Sequence, residues 1–279
     1  MNESVPSSPN HPSSILGLQL LKLGGSLITD KARPHSPRLD LLARLAGEIA
    51  AVRRQDSSLQ LILGHGSGSF GHIPAQKYGT RQGVRTPEEW QGFVEVWRQA
   101  TALNHLVVEA LGDAGLPAFS LPPSASVTAR DGQIAAWDLK PLISALKAGL
   151  LPVVYGDVVF DGLRGGTILS TEDLFTHLVR QLHPRRLLLA GLEPGVWGDF
   201  PACTQLVKEI TPLNLPEIIS SIGASAAIDV TGGMINKVQQ SLRLAQEIPG
   251  LEVRIFSGET PGIITQALAG KPVGTAIQA

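Results

Sequence analysis

Three glycine-containing turns in this sequence each have a lysine or histidine beside them. The first is Lys22-Leu23-Gly24-Gly25-Ser26, with Thr29-Asp30-Lys31 close behind. The second is His65-Gly66-Ser67-Gly68-Ser69-Phe70-Gly71-His72, and the third is Thr231-Gly232-Gly233-Met234 with Lys237 one helical turn further on. Glycines allow successive backbone N–H groups to converge on one anion, and a helix N-terminus adds positive partial charge. Lysines supply the full charges. That combination suits phosphoryl transfer, which asks for positioning and charge neutralisation more than covalent help. A single Gly-Gly turn is ordinarily a tight connection; three with cationic neighbours read as a phosphate-handling set. None follows the GxxxxGK[ST] or GxGxxG patterns.

Other polar residues have two readings each. His72 directly follows Gly71, where an imidazole can donate to a phosphate oxygen; His65 is by default structural. Asp157, after Tyr155-Gly156, is either a turn aspartate or a residue at the carboxyl end of a strand, where open α/β sheets bind ligands. Asp173 stands three residues after Ser170 and reads as half of a capping box. It also reads as a carboxylate that holds two lysines, and the two roles are compatible. Trp90, Phe93, Val94 and Trp97 form a stripe that is core by default and otherwise a wall for an apolar ligand.

The elements that must position these residues follow from periodicity. Strands are expected at Leu18–Leu23, Leu59–Leu63, Pro117–Leu121, Leu151–Tyr155, Arg186–Ala190, Leu251–Phe256 and Val273–Ile277. Helices are expected at Leu39–Val52, Glu88–Leu111, Asp138–Leu146, Ser170–Leu182 and Met234–Glu247, with a hairpin over Val158–Leu169. Buried strands alternating with helices predict an α/β fold, an αβα sandwich whose central sheet is mostly parallel and covered on both faces. A soft boundary near 161–170 divides it into two lobes sharing one sheet, 15–165 and 166–279. Residues 1–14, polar and rich in Pro and Ser, read as a disordered tail.

Composition narrows the function. The 279 residues are 43% hydrophobic with a formal net charge of −1, and no basic run occurs, which argues against a nucleic-acid partner. One cysteine, Cys203, excludes a disulfide framework and fits a reducing, cytoplasmic setting. No apolar run is long enough for a membrane span.

The motifs occur in an order that resembles the amino acid kinases. These are LKLGGSLITDK (Leu21–Lys31), GHGSGSFGH (Gly64–His72), Gly156-Asp157, LSTED (Leu169–Asp173) and DVTGGM (Asp229–Met234) through Lys237. The nearest likeness is to isopentenyl phosphate kinases, most specifically through Phe70-Gly71-His72. The resemblance implies ATP as co-substrate, Mg²⁺, an isoprenoid monophosphate as acceptor, and a homodimer. It implies that Lys22, Lys31 and Lys237 neutralise the transferring phosphoryl group while Asp173 orients the lysines. Gly24, Gly25, Gly232 and Gly233 would then face the nucleotide, and the third turn would belong to the C-terminal, nucleotide-binding lobe. Gly66, Ser67, Gly68 and His72 would hold the acceptor phosphate in the N-terminal lobe. Gly156 and Asp157 would border its pocket, with Phe93, Val96 and Trp97 along the tail. Gly191-Leu192-Glu193 departs from the family's Thr-Asp-Val, which leaves the adenine and ribose contacts open. Competing expectations are the same fold acting on a phosphonate of the fosfomycin type or on a carboxylate such as glutamate, or a non-catalytic nucleotide or anion sensor.

Overall fold

The computed structural model describes residues 15–223 and 233–279, without the side chains of His72, Ile73 and 221–223. Residues 1–14 and Gly232 therefore lie outside the described residues, as does the His72 imidazole. The first half of the chain forms β1 (Gln19–Leu23), α1 (Gly25–Ile28), α2 (Leu39–Gln55), β2 (Leu61–His65), α3 (Gly68–Tyr78), α4 (Pro87–Asp113), β3 (Ala118–Ser120) and α5 (Pro123–Ser126). Next come β4 (Val127–Arg130), β5 (Gln133–Trp137), α6 (Lys140–Lys147), β6 (Leu151–Tyr155), β7 (Asp157–Asp161), β8 (Gly165–Leu169) and α7 (Thr171–Leu182). The remainder is β9 (Arg186–Gly191), β10 (Val196–Trp197), β11 (Leu206–Val207), β12 (Glu209–Ile210), α8 (Leu215–Gly223), α9 (Gly233–Glu247), β13 (Glu252–Ser257), α10 (Ile263–Leu268) and β14 (Thr275–Ile277).

Eight strands form the main sheet in the order β12-β14-β13-β9-β1-β2-β6-β3. From β13 to β3 every pairing is parallel; β14 runs antiparallel to β13, and β12 parallel to β14. The expected mostly parallel sheet is thus present, and β9 pairs directly with β1, so one sheet joins strands from both sides of 161–170. The continuous apolar runs make sense because both faces are covered. Successive side chains of a strand point to opposite faces. Leu20, Ile62, Val154, Leu187 and Leu189 enter a core with Leu178 of α7 and Leu242 of α9. Their neighbours Leu21, Leu63, Val153 and Leu188 enter the other core, with Ile49 of α2 and Leu103 of α4. Each fully buried leucine contributes about 1.5–3 kcal/mol relative to an exposed one.

A second sheet, β5-β4-β7-β8, begins where β6 ends, since β7 follows it after Gly156. Its β7–β8 hairpin is the one expected from sequence, whereas β4–β5 is additional. Asp161 buckles the two hairpins: its carboxylate accepts from the backbone N–H of Asp131, Gly132, Leu163 and Arg164 at 2.7–3.0 Å. Burial pushes that carboxyl up, but the four donors outweigh it and hold it at about 2. Helix α7 begins as expected, with Ser170 and Asp173 forming a reciprocal capping box.

Candidate active site

The parallel strands all end at one edge, and each end is tied to its neighbour. Gly24 N–H donates to Ala190 O (2.8 Å), Gly66 N–H to Leu23 O (3.0 Å) and Gly258 N–H to Gly191 O (2.8 Å). Around these ends lies a cavity of about 760 Å³. Four cationic side chains line it among the described residues, Lys22, Lys31, Arg81 and Lys237, against two carboxylates, Glu172 and Glu193. That imbalance attracts a polyanion.

The first two glycine turns meet in the floor of this cavity. A methyl group on Gly66 would sit 2.8 Å from Gly25 N, and one on Gly25 would collide with Gly68 N. Gly68 has φ +50°, a left-handed conformation that favours glycine, and a side chain there would strike Thr29 Oγ1. Thr29, 1% exposed, stitches the turns: its hydroxyl donates to Gly25 O (2.7 Å) and accepts from Ser69 N–H (2.9 Å). Ser67 itself makes no side-chain cap at the start of α3, where Thr29 takes only the Ser69 N–H. The N–H groups of Ser67 and Gly68 at this helix start suit an anion. The sequence pattern flagged the glycines; Thr29 was missed, although a small hydroxyl residue four after Gly25 is a recognisable partner for a backbone carbonyl.

Lys22, Gly24, Gly25, Lys31, Gly66, Ser67, Gly68, Gly156, Gly233 and Lys237 all line the cavity. The lysine-holding carboxylate is different from the expectation. Lys22 Nζ donates to Glu172 Oε1 in an ion pair. Asp173 faces away: its Oδ2 accepts from Ser170 N–H (2.8 Å), Ser170 Oγ (2.7 Å) and Arg81 Nη2 (3.1 Å). The reason is the capping box, which turns the third residue of α7 back onto Ser170 and leaves the second pointing at β1. Burial would raise the Glu172 carboxyl, but the charge and hydrogen bond of Lys22, with the charge of Lys237, hold it below the usual carboxylate value.

Two further expectations are corrected on the acceptor side. Asp157 is fully buried and does not line the cavity; it accepts from Val158 N–H (2.8 Å) and Ser124 N–H (3.2 Å). Of the α4 stripe, Val96 lines the cavity together with Ala100, Ala75 and Ile168. Phe93 packs instead on Trp90 and Phe160, with ring centroids 5.1 and 5.5 Å away, and Trp97 is 40% exposed outside the cavity. The difference is one of helical phase: residues 96 and 100 share the inward face that 93 and 97 flank. His65 is a core residue, stacked on Tyr155 at 5.4 Å, with Nε2 3.2 Å from Asn104 Oδ1. Burial drives its imidazole below the ordinary range, helped by Lys22 and opposed by Gly66 O and Asn104.

The opposite arm of the cavity is walled by Gly191, Leu192, Glu193, Trp197 and Phe200. Glu193 Oε2 accepts from Trp197 Nε1 (2.8 Å), which fixes both groups at that end. Among the described residues no three His, Cys, Asp or Glu side chains gather as a metal site. The two described carboxylates that line the cavity, Glu172 and Glu193, are held by Lys22 and Trp197 respectively. No described helix is long and apolar enough to cross a membrane.

Residues 17–257 match the profile of the amino acid kinase family. An isopentenyl phosphate kinase of Methanothermobacter thermautotrophicus is 36% identical over 267 residues, covering 92% of this chain and 98% of that protein. That of Methanocaldococcus jannaschii is 33% identical, covering 93% and 98%. A solved isopentenyl phosphate kinase structure superposes with a TM-score of 0.79 at 32% identity, over 94% of this chain and all of that one. With the fold, the paired glycine turns and the lysines in place, the chain belongs to the amino acid kinase family, among its isopentenyl phosphate kinases.

Proposed function

We propose that this chain transfers the γ-phosphoryl group of ATP to isopentenyl phosphate, giving isopentenyl diphosphate. The observation that carries the reading is the contact of the two glycine turns beneath a cationic cavity with one apolar arm. Two phosphate-bearing substrates placed on adjoining turns meet end to end, while the apolar arm takes a short hydrocarbon tail. Four relatives of the same name at 29–36% identity support the choice of acceptor.

Within this reading Gly25 and Gly233 donate to the nucleotide phosphates, with Gly232 in the same turn by sequence, while Gly24, its N–H held by Ala190 O, shapes the turn and leaves room for the phosphates. Ser67 and Gly68 donate to the acceptor phosphate from the start of α3, Gly66 lines its pocket with its own N–H held by Leu23 O, and His72 joins them by its place in the motif. Lys22 stands at the end of β1 between the two turns and bridges the transferring group; Glu172 keeps its ammonium in place. Lys31 and Lys237 offset charge from either side. Mg²⁺ bound to the ATP phosphates supplies further neutralisation of their oxygens. The acceptor phosphate has its second ionisation near about pH 6, so it is already nucleophilic at neutral pH and needs no strong general base. Transfer is in line, without a covalent enzyme intermediate. Val96, Ala100, Ala75 and Ile168 receive the isoprenoid tail; Trp197 and Phe200 flank the adenine, and Glu193 accepts from the ribose in place of the missing Thr-Asp pair. We read 15–165 as the acceptor lobe and 166–279 as the nucleotide lobe. Phe119, 45% exposed on the edge strand β3, supports a homodimer formed along that edge, and the single cysteine supports a cytoplasmic setting.

The test is ADP release with isopentenyl phosphate, dimethylallyl phosphate, fosfomycin and glutamate side by side. Turnover selective for isopentenyl phosphate is expected. Preference for fosfomycin or glutamate would move the chain to another acceptor class, and ATP binding without turnover on any of them would make it a sensor.

A further inference from the structure

We infer that Arg81 is an additional ligand of the acceptor phosphate, held in reserve by Asp173 while the site is empty. This rests on the phosphoryl-transfer reading above. Arg81 lines the same cavity as Gly66, Gly68, Gly156 and Ser170. Its side chain is 59% exposed and touches Asp173 through one nitrogen only, Nη2 to Oδ2 at 3.1 Å. Among the described residues its Nε and Nη1 meet no acceptor. A guanidinium matches a tetrahedral oxyanion with two parallel donors, so the present single contact leaves most of that capacity unused.

The surroundings favour exchange of partners. A half-exposed, single-contact ion pair holds weakly. Asp173 loses little when Arg81 departs, because Ser170 N–H and Oγ still donate to the same oxygen at 2.8 and 2.7 Å. Arg81 also lies beside the N-terminus of α7, whose positive end disfavours a cation unless an anion is present. Its backbone, by contrast, is fixed: Arg81 O accepts from Thr167 Oγ1 (2.9 Å) and Arg164 Nη1 (3.2 Å). The side chain thus swings from a rigid anchor between a protein carboxylate and a ligand phosphate. A neutral alcohol carrying the same tail gives it nothing to bind, so Arg81 selects for the phosphate and leaves the tail to Val96 and Ala100.

Steady-state kinetics of wild type, Arg81→Gln, Arg81→Lys and Asp173→Asn test this, with isopentenol as a competitor that has the tail without the phosphate. Arg81→Gln is expected to raise KM for isopentenyl phosphate by roughly 10- to 100-fold, the range commanded by a charge-assisted hydrogen bond. The ATP KM and the isopentenol inhibition constant are expected to stay within about twofold. Arg81→Lys recovers part of the loss, since it restores charge but not the fork. Asp173→Asn keeps an acceptor for the helix cap and releases Arg81, so it lowers the acceptor KM. If Arg81→Gln and Asp173→Asn raise that KM alike, or phosphate and alcohol affinities fall together, Arg81 is only a structural tie and the inference is wrong. An unchanged acceptor KM in Arg81→Gln, with wild type active, overturns it alone. A wild type idle on isopentenyl phosphate overturns the activity as well.

Discussion

Gly25 and Gly68, forty-three positions apart in the chain, are packed backbone against backbone, with no room for a side chain on either. Strand pairing brings them there: Leu23 and His65 are register partners at the ends of β1 and β2, so the turns that follow must share one space. The distance between the two glycine turns is therefore fixed by the sheet. Gly68→Ala combines a left-handed φ with a collision on Thr29 and Gly25 O. It is expected to lower turnover by at least roughly 100-fold, a scale set by misplacement of reacting groups. Gly47→Ala, in α2 with nothing within 4 Å, is the control and should leave turnover unchanged. ADP release by the two purified variants checks this; equal rates would contradict it.

Lys22 and Glu172 should separate by pH. Lys22→Ala is expected to reduce kcat by roughly 100- to 1,000-fold, as for loss of a charge that stabilises the transition state. Glu172 has a carboxyl lowered in the fold, so its contribution to stability is present above the ordinary carboxylate value and is lost as pH falls through the lower folded one. Wild type should accordingly exceed Glu172→Gln in stability at pH 7, with the gap closing below about pH 4. Urea unfolding of both proteins across pH 3–7 measures it, and a gap that widens in acid would refute the pairing.

Asp157 carries the opposite sign. Burial raises its carboxyl to about 6, against donors from Ser124 and Val158. A raised acid stabilises fully below its unfolded value near 3.8 and loses that contribution as pH rises through about 6. At pH 7.5 the ionised form costs up to about 3 kcal/mol. Asp157→Asn, which keeps an acceptor for Val158 N–H, should then be more stable than wild type at pH 7.5 and lose that advantage toward pH 4. Turnover should persist, because Asp157 does not line the cavity. A stability difference independent of pH would show that the carboxyl is not the cause.

Ala100 is 1% exposed and lines the apolar arm. Ala100→Leu fills that arm and should raise the acceptor KM by roughly tenfold or more, while the ATP KM stays near wild type. One methylene in such a pocket is worth about 1–3 kcal/mol. A change confined to ATP would place the tail elsewhere.

Much of the fold was legible because its signals are local. The leucine-, isoleucine- and valine-rich runs in β1, β2 and β6 mark two-sided burial, and Ser170 with Asp173 marks the start of α7 to the residue. The glycines were legible as chemistry because few other roles demand them beside lysines. What was hidden depends on phase and on distance. The capping box that identifies Asp173 is also what removes it from the lysines, and only the helix start seen in three dimensions shows Glu172 beside Lys22. Val96 was legible beside Phe93 and Trp97, but the stripe did not show that Ala100 joins it in the cavity while Phe93 and Trp97 stay outside. Helix α3 escaped notice because Gly68, Gly71 and Pro74 depress helix propensity. Arg81 sits in a loop whose partners lie 83–92 residues away, where no periodicity reaches.

The central claim is that a phosphate, and not a carboxylate or water, receives the γ-phosphoryl group. Phosphorus-31 NMR of the reaction with ATP and isopentenyl phosphate tests it most directly. The account predicts that the single acceptor resonance is replaced by two mutually coupled resonances of a diphosphate ester as ADP accumulates. An unchanged acceptor resonance, with ADP and inorganic phosphate appearing instead, would contradict it.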